Sequence, residues 1–117
     1  MIRAEETEGC LTLTINRPDK ANALTEAMLV EMTDLITAST AKVLILTGEG
    51  KVFSAGADLD DVRGGTLATS PAWEQLSAAV AGFNGLSVAA LNGSCAGGAM
   101  GMMLACDLRI ATPATKA

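Results

Sequence analysis

The residues best placed for chemistry lie in two short turns. Ala55-Gly56-Ala57-Asp58 and Ala96-Gly97-Gly98-Ala99 each follow a strand or loop and open a helix. At such positions the first backbone N–H groups have no intrahelical partner and point outward. Small side chains let another molecule come close to the main chain. If the amides of Ala57 and Gly98 converge, they form a two-donor site for a negatively charged oxygen. Losing one such donor typically costs about 3 kcal/mol of intermediate stabilisation. A plainer reading stands beside it: the glycines only permit tight turns and close packing.

Other chemistries are limited by what the chain lacks. It has no histidine and no tyrosine, so no imidazole base, no Ser-His-Asp or Cys-His pair and no phenolic acid. Gly93-Ser94-Cys95-Ala96-Gly97 has the spacing of a nucleophile elbow, but a thiol without a base reads as a packing cysteine. Asp58-Leu59-Asp60-Asp61-Val62 fits a D-x-D-x-V phosphatase signature, with Asp58 as nucleophile and Mg²⁺ as clamp. That signature needs an apolar strand just before it, and Ser54-Ala55-Gly56-Ala57 makes a poor one. A capped helix start is the preferred reading. Gly93 to Gly98 has Walker spacing, yet Ala99-Met100 replace the residues that grip phosphate and magnesium. Cys10, Cys95 and Cys106 form no CxxC pair, which suggests reduced thiols and neither a disulfide framework nor a metal site.

The elements that must position the turns follow from periodicity. Ile2–Thr7 and Cys10–Asn16 flank Glu8-Gly9 as a hairpin, and Arg17-Pro18-Asp19-Lys20 interrupts the pairing. Thr25 opens a helix whose Met28, Leu29, Met32, Leu35 and Ile36 share one face. Lys42–Thr47 is a nearly continuous apolar run, expected as a strand buried on both faces. Asp58 is placed to cap a segment with Asp60 and Asp61 in its first turn. Gly64 to Ser70 is a loop, and Pro71 starts a helix expected to reach about Asn84. Ser87–Leu91 is a strand, Gly98 to Ala105 a small-residue helix, and Asp107–Ala111 a strand with no helix after it. Strands joined by crossover helices define an α/β class.

Composition sets the outer bounds. The 117 residues are half apolar with only three aromatics, Phe53, Trp73 and Phe83, so packing relies on small residues and close backbones. A net charge of −5 argues against a nucleic-acid partner, which would need a basic face. Gln75 to Cys106 carries no charge, but Asn84-Gly85, Asn92-Gly93 and Gly97, Gly98 and Gly101 break it into short buried pieces, so no membrane span is expected. No signal peptide is visible, which points to the cytoplasm.

Three motifs then combine. Asn16-Arg17-Pro18-Asp19-Lys20-Ala21-Asn22-Ala23-Leu24 resembles the first motif of the crotonase (enoyl-CoA hydratase/isomerase) superfamily. Phe53-Ser54-Ala55-Gly56-Ala57-Asp58-Leu59 resembles its first oxyanion-hole motif, and Asn92–Gly98 with Ala105-Cys106-Asp107 its second. The order is the family's and the motifs cover the whole chain.

The resemblance implies an α/β fold, a spiral of ββα units, of which residues 1–117 are the N-terminal part with the C-terminal part absent. It implies acyl-CoA thioesters as substrate, with no separate cofactor and no metal. It gives Ala57 and Gly98 as backbone donors to the thioester oxygen, and Ala55, Gly56, Ala57, Asp58, Leu59 and Asp60 as the wall of the CoA channel. Lys20, Arg17 and Lys51 are the nearby cations that could meet CoA phosphates, solvated surface charge being an equal reading. The full-length form would be a homotrimer or hexamer, and this stretch alone would expose apolar faces and self-associate.

One departure matters. Hydratases of the family place a glutamate three residues beyond the second oxyanion glycine, where this chain has Gly101. Isomerases of the family commonly work with one carboxylate. Gly101 therefore favours a double-bond shift over water addition, since a single proton shuttle can serve the former. The competing class is a non-catalytic fragment or pseudoenzyme that binds acyl-CoA, or self-associates.

Overall fold

The computed structural model describes residues 1–64, 70–113 and 115. β1 (Ile2–Thr7) and β2 (Cys10–Ile15) form an antiparallel hairpin. Its turn residues Glu8 and Gly9 take φ of 53° and 79°, the mirror-image turn whose twist suits two strands joined by two residues. A 3-10 turn at Pro18–Lys20 follows, then α1 (Glu26–Ala38) and β3 (Val43–Gly48). Thr25 caps α1 by accepting the Met28 N–H at 3.2 Å, and Met28, Leu29, Met32 and Ile36 are buried.

Two strands were not expected from the sequence: β4 (Val52–Ser54) and β6 (Ser94–Cys95), which pair in parallel as a second small sheet. Each is too short to show a period of its own. Between them lie α2 (Leu59–Arg63), α3 (Ala72–Ala81) and β5 (Leu86–Leu91). α4 (Ala99–Ala105) and β7 (Leu108–Ala111) complete the described elements. The larger sheet runs β1-β2-β3-β5-β7, parallel from β2 onward.

The two sheets explain the layout. Twice the chain passes from the large sheet to the small one and then into helix: β3, β4, α2–α3, and β5, β6, α4. The segment after β2 repeats the step in miniature, because Leu24 bridges Ala57 in parallel before α1 begins. The expected α/β fold of repeated ββα steps is therefore present.

Several features differ from expectation. α3 stops at Ala81, where Gly82 caps it, and does not reach Asn84. Pro71 and Gly98 are the residues before their helices, with α-region backbone, and not the first helical residues. Asp107 lies outside β7. Its carboxylate accepts the Ser87 N–H at 3.0 Å, while its own N–H donates to Ser87 Oγ at 2.9 Å. Finally, β3 buries Leu44 and Leu46 fully but leaves Val43 and Ile45 half-buried. Helices cover one face of the sheet more completely than the other.

The core joins Leu11, Leu13, Ile15, Leu44, Leu46, Phe53, Ala89 and Leu91 of the strands to the apolar faces of α1, α3 and α4. Leu86, Leu104, Leu108 and Ile110 are exposed, mainly on and around β7. Among the described residues no helix is long and apolar enough to cross a membrane. The Gly64–Ser70 loop falls for the most part outside the described residues.

Candidate active site

The first turn is fixed from several sides. Leu24 N–H donates to Gly56 O at 2.7 Å and Asp58 N–H to Leu24 O at 2.8 Å. In a parallel pairing these bonds flank the bridged residue, so the N–H of Ala57 faces away from Leu24. Ala55 N–H donates to Ala21 O at 3.0 Å, and Gly56 N–H to the Oγ of buried Ser54 at 3.0 Å. The neighbours of Ala57 are thus all engaged. Among the described residues the Ala57 N–H itself has no acceptor.

Asp58 ties this turn to the first motif. Its carboxylate accepts from Arg17 Nη1 at 2.7 Å and caps α2 by accepting the Asp61 N–H at 3.1 Å. The Arg17 hydrogen bond, then the Asp61 amide, hold the Asp58 carboxyl below the ordinary value of 3.8. Arg17 also donates to Ala23 O at 3.1 Å. Asn22, fully buried, accepts the Arg17 N–H and donates to Glu49 O and Val52 O. Asn92, from the other motif, donates to Gly50 O and to the same Val52 O. The two asparagines fasten the 48–52 bend that leads into β4. Sequence reasoning named both stretches but gave Asn22 and Asn92 no such task; an asparagine beside a turn was the only available signal.

The second turn meets the first backbone to backbone. Ala96 N–H donates to Ser54 O at 3.0 Å, continuing the β4–β6 pairing. Gly56 has φ of +99°, and a Cβ there would sit 2.9 Å from Ala96 O, 3.2 Å from Gly97 Cα and 3.4 Å from Gly98 N. Gly97, at φ +59°, faces back on Gly56 Cα. Only glycine allows this approach and this backbone at once. The Gly98 N–H, like that of Ala57, has no acceptor among the described residues. On its other side Gly98 is walled by Trp73, whose ring carbons would lie 2.9–3.0 Å from an added Cβ.

An open cleft beside the first turn is lined by Lys20, Ala23, Asp58, Leu59, Asp60 and Arg63. Of the expected channel residues it gathers Lys20, Asp58, Leu59 and Asp60, while Ala55, Gly56, Ala57 and Gly98 lie at the junction of the turns. Arg17 is committed to Asp58 and is not free to meet a phosphate. Lys51 lines a separate groove with Pro18, Ala21 and Glu49. Arg63, which the sequence reading passed over, is the second cation of the cleft, in the last turn of α2; its pair with Asp60 is long, at 3.5 Å, and solvent-exposed, unlike the short, largely buried Arg17–Asp58 pair.

The alternatives find little support in this geometry. Cys95 is buried, and burial pushes its thiol up to about 11, so it is a poor thiolate. Asp58 is engaged as a helix cap and ion-pair partner, as a phosphatase nucleophile would not be. Among the described residues no group of His, Cys, Asp or Glu side chains is arranged to hold a metal ion.

Two abutting turns of small residues, each with an amide that has no acceptor among the described residues, thus sit on an α/β fold of repeated ββα steps. Comparison with known proteins names the family. Residues 5–116 match the enoyl-CoA hydratase/isomerase family model, and the chain belongs to that family. It is 35% identical to 4-chlorobenzoyl coenzyme A dehalogenase-2 of an Arthrobacter species, over 95% of this chain and 45% of that protein. It is 35% identical to 2,3-dehydroadipyl-CoA hydratase of Escherichia coli, over 86% of this chain and 42% of that one. The crystal structure of an enoyl-CoA hydratase from Bacillus anthracis superposes with a TM-score of 0.81 at 32% identity, covering 94% of this chain and 46% of that one. The chain thus spans less than half the length of these relatives.

Proposed function

We propose that this chain supplies the thioester-binding half of an acyl-CoA enzyme. In this reading the Ala57 and Gly98 N–H groups bind the thioester carbonyl oxygen and stabilise the charge it gains as an enolate forms. The observation that carries the reading is the junction of the two turns. Neither amide has an acceptor among the described residues, and the flanking glycines allow the two main chains to touch. A donor already fixed in place needs no reorganisation when the charge develops. Lys20 and Arg63 offer the cleft beside Ala57 two cations for the phosphates of coenzyme A.

Gly101 directs the chemistry. It has no side chain to activate water, so the preferred reaction is a double-bond shift in an enoyl-CoA, with hydration second. Assembly as trimers or pairs of trimers accompanies this reading. The test is to follow the purified protein with 3-enoyl-CoA and crotonyl-CoA by absorbance. Conversion of 3-enoyl-CoA to the conjugated isomer, faster than hydration of crotonyl-CoA, is expected. Tight binding of both without turnover would instead establish a non-catalytic acyl-CoA binder, and no binding would end the reading.

A further inference from the structure

The turn at 96–98 carries one of the two amides and has little of its own to hold it. Ala96, Gly97 and Gly98 are exposed, and no side chain caps the start of α4. Two glycines in succession tolerate many backbone conformations, so their own sterics do not fix the amide between them. One main-chain bond sets its tilt: Met100 N–H donates to Gly97 O at 3.1 Å. Oxygen and hydrogen lie on opposite sides of a trans peptide, so this bond turns the Gly98 N–H away from α4. It leaves the place of the Gly98 Cα undetermined.

Trp73 supplies that second constraint. A Cβ built on Gly98 would lie 2.9 Å from Cζ3 of the indole and 3.0 Å from both Cε3 and Cη2. An atom approaching in the ring plane past Cζ3 would be much farther from its two neighbours than from Cζ3 itself. Near-equal distances therefore put Gly98 over the face of the six-membered ring and not at its edge. The indole lies flat across the side of Gly98 where any other residue would carry a side chain. The helix that bears it is locked into the core, since Ala72, Leu76 and Val80 of α3 are 3%, 0% and 1% exposed. One turn further on, Ser77 meets α4 again, its Oγ 3.4 Å from a Cβ at Gly101. A rigid ring on an anchored helix is a template against which a flexible turn can be set.

From this stacking we infer that Trp73 is a positioning residue of the oxygen site. Its indole face sets where the Gly98 N–H stands, and it acts through Gly98 and not through a contact of its own with the reacting atoms. The inference rests on the thioester reading above and adds what holds the second donor. A main-chain donor stabilises developing charge only if it is already in place when the charge appears. A flat ring confines the Gly98 Cα to one position, whereas an aliphatic side chain leaves it room to shift.

The experiment compares the purified protein with its W73L, W73M and W73F variants, using two probes. The spectral red-shift of a bound aryl-conjugated enoyl-CoA reports polarisation by the two amides. The affinity for coenzyme A itself reports the cleft lined by Lys20 and Arg63. Trp73→Leu is expected to lower the red-shift by about half, the share of one donor in two, and to leave coenzyme A affinity unchanged. Trp73→Met, which fills the space with a flexible chain, should behave like W73L. Trp73→Phe keeps a flat ring over Gly98 and should retain most of the red-shift. Urea unfolding of each variant separates these effects from loss of the fold. A red-shift that falls only in step with coenzyme A affinity and the folded fraction would make Trp73 merely structural and overturn the inference. A full red-shift in W73L and W73M, or an equal loss in W73F, would overturn it too, with the thioester site left standing. If the unaltered protein gives no red-shift, the thioester reading itself fails and the inference with it.

Discussion

The turn at 55–58 is held by hydrogen bonds drawn from Ala21, Leu24, Arg17 and Ser54, whereas the turn at 96–98 is anchored by the Ala96 N–H to Ser54 O bond and otherwise held by close packing against Gly56 and Trp73. The first turn has polar side chains at its edges, and they can direct an amide by engaging its neighbours. The second has only Ala, Gly and Gly, so steric contact sets its path. Two adjoining turns need not be held in the same way. One is oriented by bonding, the other by exclusion of alternatives.

The contrast can be broken most severely at Gly56, where both modes meet. Gly56→Ala places a Cβ on the main chain of Ala96 and Gly97 at positive φ. Stability should fall by about 3 kcal/mol or more in urea unfolding, with loss of acyl-CoA binding, because a main-chain obstacle cannot rotate away.

Next comes the polar latch. Arg17→Met removes the cation from Asp58 and should lower the unfolding midpoint clearly while weakening thioester binding; restoration by Arg17→Lys should be incomplete, since the guanidinium bonds Asp58 and Ala23 O together. The latch also predicts a pH dependence. The Asp58 carboxyl is held below 3.8 in the folded protein, so its stabilisation is fully present above that value. It is lost as pH falls through the folded pKa. Unfolding scans below pH 4 should show a smaller acid loss in R17M than in the unaltered protein.

A milder effect is expected at Gly98. An alanine there meets the Trp73 ring and not the backbone, so the loss should be about 1–3 kcal/mol and largely recovered by Trp73→Leu. Failure of that recovery would mean that the second turn is governed by something other than packing against the indole. The smallest effect concerns the thiols. Native protein at pH 8 should be alkylated at half-buried Cys10 but not at Cys95 or Cys106, which are buried and whose thiols are both pushed up to about 11. Rapid labelling of Cys95, measured by mass spectrometry, would contradict the packed second turn.

Much of this was readable in advance where the signal is local. The hairpin around Glu8-Gly9, the Thr25 and Asp58 caps, the periodicity of α1 and the small-residue turns all act over a few neighbouring positions. Helix ends were read less well: Gly82 stops α3 before Asn84, because termination depends on how the next segment leaves. β4 and β6 had no signature, being stabilised by each other and by Asn22 and Asn92 across long separations.

The sequence by itself determined the residue chemistry: two turns of small residues, with neither imidazole nor phenol in these 117 residues and no carboxylate at Gly101. Only the tertiary structure decided that Gly56 and Gly97 touch, that Arg17 is spent on Asp58 while Arg63 joins Lys20, and that Trp73 walls the second turn. Such facts depend on which strand lies next to which. That choice is made by burial of one sheet face under three helices, and no run of neighbouring residues encodes it.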